Sequence, residues 1–174
     1  MAELHFEDTQ IRRAGPADAA DIRELTRSAY AKWVPLIGRE PTPMGADYDR
    51  AVCEHMIDLL FVGARLVALI ETVNAADHLL IANVAVAPPF QGRGYGRYLL
   101  DHAERLATSL GLPELRLYTN QRFVKNIELY SHCGYAIDRE EPFMGGFLVH
   151  MSKRLATSGD PASTNSRTEP APIA

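Results

Sequence analysis

From Ile81 to Val86 the chain reads I-A-N-V-A-V, a run of β-branched and small apolar residues that predicts a buried strand. Pro88 and Pro89 end it, because proline offers no N–H to a sheet ladder. After Gln91-Gly92-Arg93-Gly94-Tyr95-Gly96, apolar residues recur at Leu99, Ala103, Leu106 and Leu110, the spacing of one helical face. The local order is therefore strand, glycine-rich turn, helix. Upstream, Thr9–Ala14 predicts a first strand, and Ile22, Leu25, Ala29 and Trp33 a helical face that Gly15-Pro16-Ala17-Asp18 opens and Pro35 stops. Two glycines and two prolines make Ile37–Ala46 a loop, and a second helix is expected near Asp47–Met56. Leu60–Ala64 and Leu66–Val73 read as strands about a turn, His78–Ala87 as the central strand, and Leu115–Thr119 as the strand after the long helix. Phe123–Cys133 reads as a short helix ended by Gly134, and Tyr135–Arg139 with Gly146–Lys153 as a closing hairpin. Strands interleaved with helices predict an α/β or α+β sandwich.

The last stretch differs. Ala156–Ala174 is rich in Ser, Thr, Pro and Ala and holds almost no large apolar residue, so it is expected to be a disordered tail after a domain spanning 1–155. The 174 residues, 47% hydrophobic, suffice for one domain that buries about two-thirds of its unfolded surface. A net charge of −4 without a long basic run argues against nucleic acid as a partner. Met1–Thr9 lacks the apolar stretch of a signal peptide, and no apolar run is long enough for a membrane span, so a cytoplasmic location is expected. Cys53 and Cys133 show neither metal-ligand nor disulfide spacing, and no metal is expected.

A glycine-rich turn that opens a helix is a site for an anion. Backbone N–H groups of a first helical turn lack partners inside the helix, and the helix dipole adds positive charge there. Glycines let an anion approach, and Arg93 and Arg97 add charge, so a diphosphate is the natural guest. The spacing excludes two common nucleotide loops. No Gly-Lys-Ser or Gly-Lys-Thr is present, and Gly92, Gly94 and Gly96 form G-x-G-x-G rather than G-x-G-x-x-G. Leu115–Thr119 ends at Asn120, not at a carboxylate for a ribose.

The pattern Q-x-x-G-x-G after V-x-P resembles the cofactor loop of the GCN5-related N-acetyltransferases (GNAT), an acetyl-CoA-dependent family. Downstream, Asn126-Ile-Glu-Leu-Tyr130-Ser-His-Cys-Gly134-Tyr135 is similar to the family's N-x-x-x-Y-x-x-x-G-[FY] segment. The resemblance spans roughly Thr9 to Leu155 and is strongest from Leu79 to Tyr135. It implies a mixed, mostly antiparallel sheet of six to seven strands flanked by four helices. It also implies acetyl-CoA as co-substrate, bound by Gln91, Gly92, Arg93, Gly94, Tyr95, Gly96 and Arg97, with Asn126 on the CoA arm. In the resembled fold the central strand splays from its neighbour at a bulge just before the glycine loop. The matching segment is Asn83-Val84-Ala85-Val86, whose backbone would meet the thioester and pantetheine.

Acetyl transfer to an amine requires a neutral amine, a stabilised oxyanion and a proton for the departing thiolate. Tyr130, four residues after Asn126 and on the same helical face, is the proton-donor candidate; the bland reading is a packing tyrosine. Glu71 is the candidate base, with His78 and a water chain as alternatives, and each side chain also reads as an ordinary strand-end polar residue. His102 and His132 read as solvated, and Cys133 as a buried structural thiol. The segment between the first two helices shapes the acceptor pocket in the resembled family, which makes Tyr30, Trp33 and Arg39 substrate-binding candidates; packing of the aromatics onto the sheet is the alternative. Arg39 would suit a carboxylate or phosphate, whereas Glu40, Asp47 and Asp49 would suit a cationic polyamine. The function expected is acetyl transfer to a primary amine of a small molecule or peptide in a ternary complex. The rivals are a non-catalytic acyl-CoA-binding regulatory domain and an interaction protein whose loop binds nothing. Homodimerisation stays open.

Overall fold

The computed structural model describes residues 8–156, so the expected tail lies outside the described residues from position 157 onward. Seven strands form one sheet: β1 (Thr9–Arg13), β2 (Met56–Val62), β3 (Arg65–Asn74), β4 (Leu79–Val86), β5 (Glu114–Asn120), β6 (Ala136–Phe143) and β7 (Gly146–Arg154). Their spatial order is β1-β2-β3-β4-β5-β7-β6. All neighbours are antiparallel except β4 and β5, which are parallel and joined by a helical crossover. The helices are α1 (Ala19–Tyr30), α2 (Val34–Ile37), α3 (Tyr48–Glu54), α4 (Tyr95–Ser109) and α5 (Val124–His132). The mixed, mostly antiparallel sheet is as expected; α2 is one additional turn beside the four helices.

Two apolar clusters flank the sheet. On one face Leu60, Ile70, Leu79 and Ile81 pack against Leu99, Leu100 and Ala103 of α4 and Tyr130 of α5. On the other, Leu59, Leu69 and Ala85 pack against Ile22 and Leu25 of α1 and Tyr48 of α3. Each fully buried leucine contributes about 1.5–3 kcal/mol relative to an exposed one. The half of the sheet formed by β5, β7 and β6 carries Arg116, Tyr118, His150 and Ser152 on its second face, so an apolar helix has nothing to bury there. β6 is mostly exposed, and Pro142 is tolerated because the strand is an edge. That polar, edge-type composition is why the sequence pattern shortens β6 to Tyr135–Arg139. The Met144–Gly145 tip, with φ of 45° and 78°, has the positive dihedrals that a tight hairpin needs.

The feature that positions the site is in β4. Glu71 faces Asn83 and Thr72 faces Ile81, so Ala82 is an extra residue in β4. A bulge reverses the alternation of side chains. Leu79 and Ile81 point to the α4 cluster, whereas Asn83 meets groups of α1 and α3 and Ala85 joins their cluster. The pairing of β4 with β5 stops at the same place, running only from Leu79↔Leu115 to Ile81↔Leu117. Beyond that point the two parallel strands diverge.

The fold also holds carboxylates whose titration sets its acid limit. Asp18 is held down at about 2, first by its hydrogen bond from Arg12. Burial by itself would raise the Asp58 pKa, but hydrogen bonds from His102 and Arg13 outweigh it and hold the carboxyl below its usual range. His102, expected to be solvated, is thus a partner of a buried carboxylate from β2. Both carboxyls are depressed in the folded state. Their contribution is complete above the unfolded-state value of about 3.9 and is lost as pH falls through the folded values. Thermal unfolding should therefore give a constant Tm from neutrality to about pH 5 and a progressive fall below about pH 4. Asp58→Asn should lower Tm at neutral pH and flatten the acid decline; an unchanged acid slope would remove Asp58 from this account.

Candidate active site

The glycine loop follows β4 through the turn Pro88–Phe90 and feeds α4. Gly94 caps α4 with φ of 84°, in the left-handed region where a side chain is strained. The first helical bond runs from the Tyr98 N–H to the Gly94 carbonyl, so the Gly96 and Arg97 N–H groups lie outside the helical ladder. Gly96 has a different reason to be glycine: a Cβ there would sit 3.3 Å from Leu129 Cδ2 of α5. The loop is therefore held against the helix that carries Asn126 and Tyr130.

Gln91 ties the loop to β4. Its Nε2 donates to the Val86 carbonyl at 2.8 Å, and its Oε1 accepts from Lys32 Nζ at 2.6 Å. These bonds reveal which way β4 presents its backbone. The Ala87 N–H donates to Val67 of β3, so by alternation the peptide groups of Val86 and Val84 point the other way, into the gap left by β5. Tyr30 Oη, 3.4 Å from the Val84 carbonyl, confirms that side for Val84. Ala85 is placed differently from its neighbours: its side chain is buried in the α1 cluster and its N–H faces β3.

Two cavities meet at this gap. The first lies over the glycine loop and is lined by Val84, Val86, Gln91, Gly92, Gly94, Tyr95, Gly96, Arg97 and Asn126, together with Lys32, Trp33 and Lys125. Arg93 stands outside that lining with its guanidinium 5.5 Å over the Phe90 ring. The second cavity runs between Ile81–Val84 of β4 and Leu117–Asn120 of β5 and includes Tyr30, Arg39, Asn83, Tyr118, Phe123 and Phe143. Tyr30, Val84, Asn126 and Tyr130 line both. One backbone segment and three side chains thus stand at the junction of a loop-side cleft and a second chamber.

Tyr130 is buried, and burial pushes its phenol up to about 12. Tyr30 is pushed well above the usual phenol range, first by burial. Its hydroxyl donates to Asn83 Oδ1 at 2.8 Å, and Asn83 Nδ2 donates to Tyr48 Oη at 3.2 Å and Thr26 Oγ1 at 3.4 Å. This network fixes the junction wall by spending every polar atom of a buried amide.

The sequence-derived candidates divide accordingly. Tyr30 and Arg39 line the second cavity, Tyr30 also reaching the loop-side cleft, while Trp33 stacks on Phe123 at 4.4 Å and lines only the loop-side cleft. Glu71 is buried behind Asn83, hydrogen-bonded to His55 Nδ1 at 2.5 Å, and lines neither cavity. As the candidate base, Glu71 would act from there through intervening groups or water. His78 pairs with Asp77 on the uncovered sheet face, away from both cavities. Cys133 is buried and its thiol is pushed up by burial, which suits a structural thiol. Phe123, Phe143, Asn120 and Lys125 went unnoticed in the sequence. Phe123 adjoins the Asn126–Tyr130 segment and could have been found there; Phe143 is placed only by the hairpin. Among the described residues no cluster of His, Cys, Asp or Glu could hold a metal, and no helix is long and apolar enough to cross a membrane.

The sequence profile of the Acetyltransferase (GNAT) family matches residues 20–135, a span from α1 through the α5 motif. The chain belongs to this GNAT family. The acetyl-CoA expected from the glycine loop agrees with that membership. A curated relative, N-alpha-acetyltransferase 80 of Mus musculus, is 31% identical to this chain over 142 residues. The match covers 80% of this chain but 38% of the relative, so the chain spans about two-fifths of the length of that protein. Among solved structures, the PaiA N-acetyltransferase of Thermoplasma acidophilum in complex with coenzyme A superposes with a TM-score of 0.71 at 18% identity, over 84% of this chain and 99% of that one. The ribosomal-protein-S18-alanine N-acetyltransferase of Escherichia coli gives 0.68 at 18% identity, over 90% and 99%. At such identities the likeness establishes the fold of this GNAT family member alone.

Proposed function

We propose that this GNAT protein transfers an acetyl group from acetyl-CoA to a primary amine by direct attack in a ternary complex. The observation that carries the reading is the divergence of β4 from β5, which turns the Val84 and Val86 peptide groups into a gap flanked by Tyr130 and Asn126. The pyrophosphate lies on the Gly92–Arg97 turn, where helix N–H groups and Arg97 meet it. The pantetheine runs along Val84 and Val86 as an added half-strand, and the thioester oxygen accepts from a β4 N–H. Asn126 contacts the CoA arm.

In the transfer itself the C–N bond forms, the C–S bond breaks, and one proton moves from nitrogen to sulfur. Tyr130 donates a hydrogen bond to the developing thiolate and relays that proton. A phenol near 12 is a weaker acid than a thiol near about 8.5, so Tyr130 stays protonated and stabilises sulfur rather than ionising for long. Glu71 acts from behind the wall, where it holds His55 and faces Asn83 across the β3–β4 pair. The acceptor enters neutral or loses its proton to water in the open chamber, so kcat/KM rises with pH up to the acceptor's own pKa.

The test is thermal unfolding with and without acetyl-CoA, with ATP and NADH as controls. At a hundred times Kd a native-state ligand stabilises by about 2.7 kcal/mol, which should raise Tm by a few degrees. A shift with acetyl-CoA alone supports the cofactor site, and thiol release on an amine panel then tests turnover. Tight binding without turnover would favour a regulatory acyl-CoA-binding domain. Absence of any shift would leave the loop without its proposed ligand.

A further inference from the structure

The second cavity has a charge pattern that selects its guest. Arg39 is half-buried at its mouth, its guanidinium 5.4 Å over the Phe143 ring and one N–H given to the Glu40 carbonyl at 3.1 Å. No carboxylate pairs with it among the described residues. Most other arginines on this side are spent: Arg23 on Asp49, Arg27 on Glu40, both at 2.7 Å or less. A neighbouring recess shares Arg39 and adds Arg122, which donates to the Leu36 carbonyl rather than to an acid.

The carboxylates that could have served a polycation are occupied. Glu40 holds Arg27, Asp49 holds Arg23, and Asp47 caps α3 by accepting from the Arg50 N–H at 3.2 Å. The residues lining the chamber include no aspartate or glutamate. Its remaining wall is uncharged: apolar and aromatic from Ile37 and Pro41 to Phe123, Phe143 and Leu148, with the neutral polar side chains Thr42, Asn83, Thr119, Asn120 and Asn126. A second ammonium group would enter without a counter-charge, whereas an anion would find a stacked, unspent guanidinium.

We infer that the acceptor is a primary amine that carries a carboxylate, with the carboxylate on Arg39, an apolar body against Phe123, Phe143 and Leu148, and the nitrogen directed to the Val84–Tyr130 junction. The inference rests on the acetyl-transfer reading of the same site. The guanidinium fork gives a planar, two-toothed grip, and its stacking on Phe143 limits the entropy lost on binding. Two sources supply this chemistry: a free amino acid with an apolar side chain, and a peptide whose first residue is acidic.

The experiment measures thiol release from acetyl-CoA with leucine and phenylalanine, their amides, a C-terminally amidated tripeptide that begins with glutamate, and spermidine. Carboxylate-bearing amines should exceed their amides in kcat/KM by roughly 10- to 100-fold, the usual value of a charge-assisted bond, with the difference in KM. Arg39→Gln should bring the ratio of carboxylate to amide close to one, and Arg39→Lys should fall between, because it keeps the charge without the fork. Tm of each variant with acetyl-CoA checks that the fold and the cofactor cleft persist. Preference for the free amino acids or for the glutamyl peptide identifies the source. Spermidine or the amides outpacing the carboxylates, or a ratio unmoved by Arg39→Gln, overturns this inference alone. No turnover on any amine, despite acetyl-CoA binding, overturns the transfer reading and this inference with it.

Discussion

Replacing Tyr130 with phenylalanine is expected to lower kcat about 100-fold, the lower range for loss of a positioned proton-transfer group. The substitution removes one oxygen from a buried ring that packs near Tyr135 at 6.1 Å between centroids, so the fold should tolerate it. KM for the acceptor should change little, since the hydroxyl is assigned to the departing sulfur and not to the amine. The pH profile separates this role from packing. Because burial holds the phenol at about 12, wild-type kcat should show no alkaline decline from Tyr130 below its titration there. The acid limb should track the pKa of whichever amine is supplied. A kcat for Tyr130→Phe equal to wild type across pH would falsify the assignment. A fall in kcat that vanished with a better thiol leaving group would strengthen it, because a lower-pKa thiolate needs less help.

Gly94→Val should raise the Kd for acetyl-CoA by roughly 100-fold. Valine at φ of 84° is strained by about 1–3 kcal/mol, and the loop can relieve this only by changing that dihedral. Either way the Gly96 and Arg97 N–H groups lose their aim at the diphosphate, and each charge-assisted bond is worth about 1.5–3 kcal/mol. Equilibrium binding of acetyl-CoA, read by calorimetry, measures the loss directly. Gly94→Ala should lose less, since alanine lacks the branched carbon. An unchanged Kd for the valine variant would mean that the α4 N-terminus does not hold the diphosphate.

The two substitutions probe parts of the site that differ in how local they are. The loop and the Asn126–Tyr130 helix are short-range structures. Glycines that permit left-handed dihedrals, prolines that end a strand and residues four apart on a helix act within one or two turns of chain. A reader of the linear chain can therefore place Gln91–Gly96 at a helix start, and Asn126 with Tyr130 on one face. Gly134, ending α5 with φ of 89°, is legible for the same reason.

Other features have no local cause. From Leu79 to Val86 every second residue is buried, an unbroken alternation that predicts one constant face. The extra residue at Ala82 exists only because β3 supplies seven partners for eight positions, and it sends Leu79 and Asn83 to opposite sides of the sheet. The same bulge decides the fate of Glu71. Its sequence position beside the central strand made it the candidate base; pairing with Asn83 puts it behind that amide and against His55 of the α3 end. Trp33 lies within three residues of Tyr30, but α1 gives way to a tighter turn there, and Tyr30 reaches both cavities whereas Trp33 lines the loop-side cleft alone.

The sequence by itself determined the family, the glycine-rich turn at the start of α4, the α5 motif and the alternation of strands and helices, because each is encoded in dihedral preference or short-period patterning. Only the tertiary structure decided which polar groups share a chamber. Arg39 finds Phe143 more than a hundred residues away, and Glu40, Asp47 and Asp49 are withdrawn by partners that the linear order does not announce. Strand divergence, a one-residue bulge and the spending of charges on one another are long-range events, set by packing that no local stretch contains.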